Sequence, residues 1–348
     1  DGMTDFLISS TKEPARLDGY RQFNAQVLEN PIYIFVDAPH LIRSVTNGLG
    51  ATVRVTYRPS SAWPKDVDGD EDYHYMPMNI PTVASMTEND VRTAIAYEGG
   101  FFDTQKREFR GFRKSTATNE VSGVQTTTYF HQGPEFQGRI ESSITRDKFG
   151  NRVIGTENKF NGIKFYGDGK GYSRIFVYAQ KSTVTKYDDD DEVLSTITTE
   201  YSYEEDGYCY GNLVTEDKEI YNHKTNERYT RFVRTEYAND LSSWILGNPT
   251  NIRIDVSDPG AGGDDPSTAA LRETEMVYHS DRPWLLEEQR EVHWEDGAKH
   301  HVTTSYDYDQ YGNNTLVVDP NGSSAQIDYA ESSGKFPNCT TNALGHTN

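Results

Sequence analysis

Glycine corners recur along this chain, and the two nearest its end set the terms for the rest. Tyr308-Asp309-Gln310-Tyr311-Gly312-Asn313 is followed by Asp319-Pro320-Asn321-Gly322 and then Tyr329. Tyr308 and Tyr329 are 21 residues apart with glycines at 312 and 322 between them, a spacing that reads strand, turn, strand, turn, strand. Gly-Asn and Asn-Gly supply the positive φ that tight hairpins demand. The stretches 314–318 and 323–329 are rich in Thr, Val, Ile and Tyr, which suit a pleated, half-buried surface. A repeat of hairpins serves architecture before chemistry.

The composition agrees with a sheet that has no thick core. Of 348 residues only 34% are hydrophobic, yet 12% are aromatic, with 23 Tyr against 4 Trp. Mean hydropathy is -0.78. Disorder is disfavoured by so many aromatic and β-branched residues. Tyrosine, an apolar ring with a wet tip, fits sheets with one face in water. A net charge of -20 repels phosphate, which argues against nucleic acid and anionic membrane as partners. No apolar run approaches a membrane span. Cys209 and Cys339 fit no metal spacing and read as free thiols in sheet.

Along the chain, Val53, Val55 and Tyr57 alternate with Arg54 and Thr56 after Asn47-Gly48, a hairpin signal with one buried face. Residues 58–82 break the pattern. Their acidic cluster Asp66, Asp68, Asp70 and Asp72 lacks the glycine and glutamate of a calcium loop and reads as a solvated loop. Strand patterning resumes at Val91, and Asp147-x-x-Gly150-Asn151 and Tyr210-Gly211-Asn212 echo the terminal repeat at irregular intervals. Tyr187–Glu192 and Asp258–Pro266 read as loops or insertions. Helical turns are expected at 240–249 and 267–272, and little helix elsewhere. Strands of about 5 to 8 residues follow from the turn spacing.

A catalytic constellation is missing. His293, His300 and His301 lie in or beside one strand, and neighbours on a strand face opposite ways, so His300 and His301 do not share a metal easily. Carboxylates are abundant, but a glycosidase needs two at a set separation, and abundance carries no such information. Asp1 and Asp5, on either side of Gly2, look like the second half of an Asp-rich calcium loop, with a simple acidic turn as the alternative. The tyrosines 201, 203, 208, 210, 306, 308, 311 and 329 cluster near glycine turns. They read as cross-strand ladders, with a carbohydrate-stacking platform as the rival.

Taken together, these residues resemble a family. Tyr308-Asp309-x-x-Gly312-Asn313 with Asp319-Pro-Asn-Gly322 resembles the tyrosine-aspartate (RHS/YD) repeat. The stretch from His40 to Tyr57 is similar to the segment that leaves the β-propeller in B components of insecticidal toxin complexes and in virulence-plasmid toxins. Arg107-Glu-Phe-Arg-Gly-Phe112 resembles that family's next signature, and Trp244–Gly247, Arg282–Arg290 and Asn342–His346 also fit. The resemblance implies a mainly β fold: antiparallel hairpin repeats forming a curved, shell-like RHS/YD sheet with little helix. It implies a segment of a secreted toxin complex whose wall houses a toxic cargo, with no enzymatic activity of its own. The implied partners are a C component that completes the shell and an A component, the pore, reached through the adjoining propeller. The expected divisions are 1–37 (stub of the last FG-GAP-type propeller blade), 38–190 and 191–304 (two strand-rich middle regions) and 305–348 (repeats). The opening acidic turn predicts a piece of a longer protein.

Overall fold

The structure is a computed structural model. It describes 6–7, 20–23 and 32–35 as strands, together with residues 41–68, 76, 78–166, 173–204, 210–257, 270–295, 298–330 and 334–348. Strand accounts for 66% of it, and the one helical turn among the described residues is the 3-10 turn Ser60–Ala62. The fold class is mainly β, built of antiparallel hairpin repeats.

Two units divide the chain, residues 1–160 with 184–194, and 161–183 with 195–348. The first holds a three-stranded sheet of β1 (Phe6–Leu7), β2 (Tyr20–Phe23) and β3 (Ile32–Phe35). It also holds a meander of β4 (Ser44–Thr46), β5 (Thr52–Pro59), β6 (Pro81–Glu88), β7 (Val91–Asp103), β8 (Glu108–Asn119), β9 (Gln125–Phe130), β10 (Ile140–Arg146) and most of β11 (Arg152–Tyr166). The second holds most of β12 (Ser173–Tyr187) and β13 (Val193–Tyr203), then β14 (Leu213–Asn222), β15 (Glu227–Asp240), β16 (Ile245–Ser257), β17 (Ala270–Tyr278), β18 (Leu286–Glu295), β19 (Ala298–Tyr308), β20 (Asn314–Val318), β21 (Ser324–Tyr329) and β22 (Pro337–Thr341). β1 pairs with β3, and every other described strand pairing in register is antiparallel between strands adjacent in sequence, as short connections dictate.

Burial matches the thin-sheet reading. Among the described residues only Val67, Tyr178 and Val292 are buried large apolar side chains, and each keeps 6–7% of its surface exposed. Along β5, half-buried Val53, Val55 and Tyr57 alternate with exposed Arg54, Thr56 and Arg58. Such a sheet holds together through its ladder and its ends rather than through a packed interior.

One corner recurs at the ends. Asn47, Asp147, Asp188, Asp309 and Asn342 each accept, through Oδ1, the N–H groups of the residues two and four positions on, at 2.8–3.1 Å. The residue three positions on takes positive φ: Gly50 (86°), Gly150 (93°), Asp191 (65°), Gly312 (85°) and Gly345 (78°). Its N–H donates back to the carbonyl of the Asx residue. This is a three-residue hairpin loop, a type I turn closed by a left-handed residue. A longer version starts at Asp103, Asn119, Asn222 and Asp240, whose Oδ1 accepts from residues two and three on. Positive φ then falls on the fourth residue: Arg107, Gly123, Asn226 and Trp244.

These corners correct several sequence expectations. The stretch 240–249 is not a helical turn: β15 runs to Asp240 and β16 begins at Ile245 around the longer corner, because Asp240 captures the Ser242 and Ser243 N–H groups before a helix can. Residues 270–272 belong to β17, while 267–269 lie outside the described residues. The four-Asp run is a tight corner, not an insertion, with Asp191 in the glycine position. In the first hairpin the left-handed residue is Gly50, not Gly48. Many strands are longer than eight residues, up to 15 in β11 and β12, because turn signals at one end are separated by a whole hairpin.

Candidate functional site

Register shifts are concentrated at one rim of each unit, the rim reached by the C-terminal ends of the odd-numbered strands. In the second unit the incoming aromatic pairs across each shift and one residue of the outgoing strand is left over. Tyr203 faces Leu213 and leaves Val214, Tyr237 faces Pro249 and leaves Thr250, and Tyr278 faces Leu286 and leaves Glu287. Tyr308 faces Asn314 and leaves Thr315, and Tyr329 faces Pro337 and leaves Asn338. In the first unit Tyr57, Phe102 and Phe130 do the same, leaving Ala84, Arg110 and Glu141. A bulge bends its strand and raises the local twist. Eight bulges on the same kind of rim, each beside an aromatic ring, give the sheet a directed bend.

The tyrosines of this rim are joined through hydroxyls more than through rings. Tyr237 donates to the Leu213 carbonyl (2.8 Å), which lies opposite Tyr203, and Tyr278 donates to the Pro249 carbonyl (3.0 Å), which lies opposite Tyr237. Tyr237 and Tyr278 thus reach the hairpin before their own, as Tyr57 reaches Ile42 (2.9 Å). Ring contacts are local: Tyr203 meets Phe176 and Tyr178, and Tyr308 meets His279. Side-chain amides and guanidiniums continue the stitching. Asn212 and Asn239 both donate to Glu204, and Asn239 Oδ1 accepts the Gly247 N–H (2.9 Å). Asn248 donates to Pro283 O (2.6 Å), Arg282 to Asp309 O (2.6 Å), and Asn313 to Gly334 O (2.6 Å).

In the first unit the same rim forms a cleft of about 460 Å³. The signature Arg107–Phe112 builds it. Arg107 closes a corner, Gly111 takes φ +87°, and the intervening bulge turns Arg110 inward, leaving its side chain 4% exposed. Arg110 donates to Asp103 (2.9 Å) and Gln137 (2.5 Å) and pairs with Glu108 (3.1 Å). The backbone N–H of Lys106, then Arg110, hold the Asp103 carboxyl below its usual range despite some desolvation. Glu141, left over by the next bulge, pairs with Arg113, which also donates to Phe130 O (2.6 Å). Gln132 donates to the Gly99 and Gly111 carbonyls (2.7 and 2.8 Å). The two arginines are matched by Asp103 and Glu141, and His131 also lines the cleft. The arrangement can clamp backbone.

A smaller cavity of about 260 Å³ lies beside it, lined by Trp63, Met76, Met78 and Phe112. A Cβ on Gly100 would fall 2.7 Å from Met76 Sδ and 3.0 Å from Phe112 Cε1, so a larger residue there would displace the methionine. Here the 58–82 connection is anchored. Lys114 donates to Asp68 (2.6 Å) and Glu98 (2.9 Å), and Tyr129 donates to Asp68 (2.7 Å). Burial opposes the Lys114 charge, but its bonds to Asp68 and Glu98 outweigh it and push the pKa up to about 12. Asp68, from the acidic cluster, is thus a structural anchor.

The remaining sequence candidates do not converge. Asp1, Asp5, Asp70, Asp72, Tyr208 and Cys209 lie outside the described residues. His293 and His300 face each other across β18 and β19, while His301 contacts Glu275 (2.9 Å). No group of three metal-ligating side chains occurs among the described residues. Cys339 is a free thiol in β22. Sequence reasoning passed over Arg110, Gln132, Glu141 and Asn239; the signal for the first was an Asx residue four positions before Arg107, which marks the corner.

Residues 1–137, which include this cleft, match the model of the family described as the insecticide toxin TcdB middle/N-terminal region. Over those residues the chain is similar to the B components of insecticidal toxin complexes. No curated protein sequence matches it. Its fold is similar to that of TcdB2-TccC3 without the hypervariable C-terminal region, at a TM-score of 0.65 and 11% identity, over 92% of this chain and 24% of that one. TcdB2-TccC3 itself gives 0.63 and 11%, over 94% and 26%. A Tc holotoxin pore of Photorhabdus luminescens gives 0.60 and 12%, over 94% and 25%. The chain thus spans about a quarter of the length of these structures, and at such identities the likeness is one of fold.

Proposed function

We propose that this B-component-like segment is wall: part of a sheet shell that encloses a cargo in a secreted toxin complex, with no catalytic role of its own. The observation that carries this reading is the repeated bulge-and-corner rim in a sheet with almost no buried core. A catalytic domain invests in a packed interior that positions a few groups. This chain invests in identical ends that bend a thin sheet in one sense. The Arg110 clamp and the hydroxyl relay spend their polar groups on backbone carbonyls and carboxylates of neighbouring hairpins. Asp1 and Asp5 remain candidates for calcium on the sequence reading alone, as do the four divisions at 37, 190 and 304. The partners on this reading are a C component that completes the wall and a pore-forming A component.

Co-expression of the full-length B-type protein with its C component, followed by electron microscopy, tests it. The expected result is a closed hollow particle with the 41–348 sheet in its wall. A solid particle, or this segment projecting from the shell as a separate domain, would overturn the proposal.

A further inference from the structure

Four successive connections at the bulged rim of the second unit each present one exposed aromatic side chain. They are Trp244 (74% exposed), Trp284 (57%), Tyr311 (69%) and Phe336 (71%). They sit in the β15/β16, β17/β18, β19/β20 and β21/β22 connections, one per hairpin. Isolated exposed aromatics are unremarkable, but a regular file of them marks a binding surface. We propose that this rim is a rail for a single chain of a neutral β-1,4-linked glycan.

Three observations favour that ligand. The first is period: successive tips lie two strands apart, about 9.6 Å, which is close to the two-sugar repeat of such a glycan, so three intervals span about six sugars. The second is rigidity. The tips are tied to one another by Asn248 to Pro283 O, Arg282 to Asp309 O and Asn313 to Gly334 O, each at 2.6 Å. Little ordering is therefore left for binding to complete, which suits a stiff linear ligand. The third is charge. Asp281 and Glu287 are exposed beside the rings, within a chain of net charge -20, so an anionic polysaccharide is repelled and a neutral one is not. Strand twist turns each tip relative to the last, which fits a single glycan chain better than a flat crystalline face. The rail is independent of the cleft and of the wall reading.

The test is titration of the 348-residue chain with cello- and chito-oligosaccharides of two to eight sugars, followed by tryptophan fluorescence and calorimetry. Affinity is expected to rise with length and level off near six sugars. Trp244→Ala and Trp284→Ala should each weaken hexamer binding about tenfold. Trp294→Ala, on β18 toward the opposite rim, should leave it unchanged; circular dichroism confirms that each variant is folded. Absence of any response up to millimolar oligosaccharide would overturn the proposal, as would equal loss in Trp294→Ala. So would self-association of the wild-type chain that Trp244→Ala and Trp284→Ala abolish, since that outcome makes the rim a protein contact.

Discussion

Gly48 and Gly50 stand two residues apart in one corner, and the structure assigns them opposite responses to alanine. Neither has an atom within 4 Å of a would-be Cβ, so sterics between side chains play no part. Only Gly50 has positive φ, at 86°. An L-residue there costs roughly 1–2 kcal/mol relative to glycine. At Gly48 the backbone suits any residue, and alanine should stabilise by about 0.4–1 kcal/mol by restricting the unfolded chain. In a meander where each strand touches only its sequence neighbours, such a change acts locally, so hydrogen exchange is a better readout than a melting temperature. Amides of 44–59 should exchange about 5- to 30-fold faster in Gly50→Ala. In Gly48→Ala the same amides should exchange about 2- to 5-fold more slowly. If Gly48→Ala were the more damaging change, the corner would be a two-residue Asn-Gly turn and the common loop described above would be wrong for this hairpin. Asn47→Asp should be tolerated in either background, because Asp147 and Asp309 hold the same N–H positions.

Other consequences follow from the same geometry. Arg110→Met should be the most damaging single change in the first unit, costing about 3 kcal/mol because it leaves Asp103 and Gln137 without the buried cation that bonds both, and Arg110→Lys should not rescue it since an ammonium lacks the planar fork; chemical denaturation measures both. Asn313→Ala should speed exchange in 334–341, whose link to the neighbouring corner is the Gly334 carbonyl, and leave 298–308 nearly unchanged. Glu273, held low chiefly by Asn251, Glu275 by Lys299 and Glu291 by Arg272, all titrate below 4.5. Depressed carboxylates stabilise above the unfolded value and cease to do so as pH falls through the folded one, so the 270–301 region should loosen first below about pH 4.5 in an acid titration followed by exchange. Lys114 has the opposite sign: its contribution is complete below 10.5 and is lost as pH rises through about 12, so Lys114→Met should flatten any alkaline loosening of 78–130.

The fold class was legible because its signals are local. Gly312, Gly322 and Gly150 announce left-handed corners, and the Thr-, Val- and Tyr-rich stretches between them admit nothing but strand. The positions where glycine is replaced were not legible: Asp191, Arg107, Asn226 and Trp244 adopt the same backbone without advertising it. A four-Asp run therefore read as a loop or insertion, and 240–249 as a helical turn. The signal that survives replacement is the Asx residue three or four positions earlier, whose Oδ1 fixes the loop whatever closes it. The cleft was less legible still. Arg110 and Glu141 converge because each is the unpaired residue of its own bulge, and a bulge is visible only once two strands are in register.

The bulges also account for why tyrosine precedes aspartate at the repeat. In Tyr308-Asp309 the aspartate sets the corner, while the tyrosine occupies the last paired position before it, opposite the strand that carries the extra residue. That extra residue opens the ladder by one step, and a large ring beside the gap keeps water from the freed peptide groups while its hydroxyl can reach a carbonyl one hairpin away, as Tyr237 and Tyr278 do. A smaller residue at either position would leave the bend without its brace. The opposite rim of the second unit, where Asn222 pairs with Glu227, Glu295 with Ala298 and Val318 with Ser324, closes without any shift. Bulges at one end of the strands and regular pairing at the other make the two rims of this unit unequal, and an extra residue per hairpin on one side bends and twists each strand pair locally without needing a core to bend around.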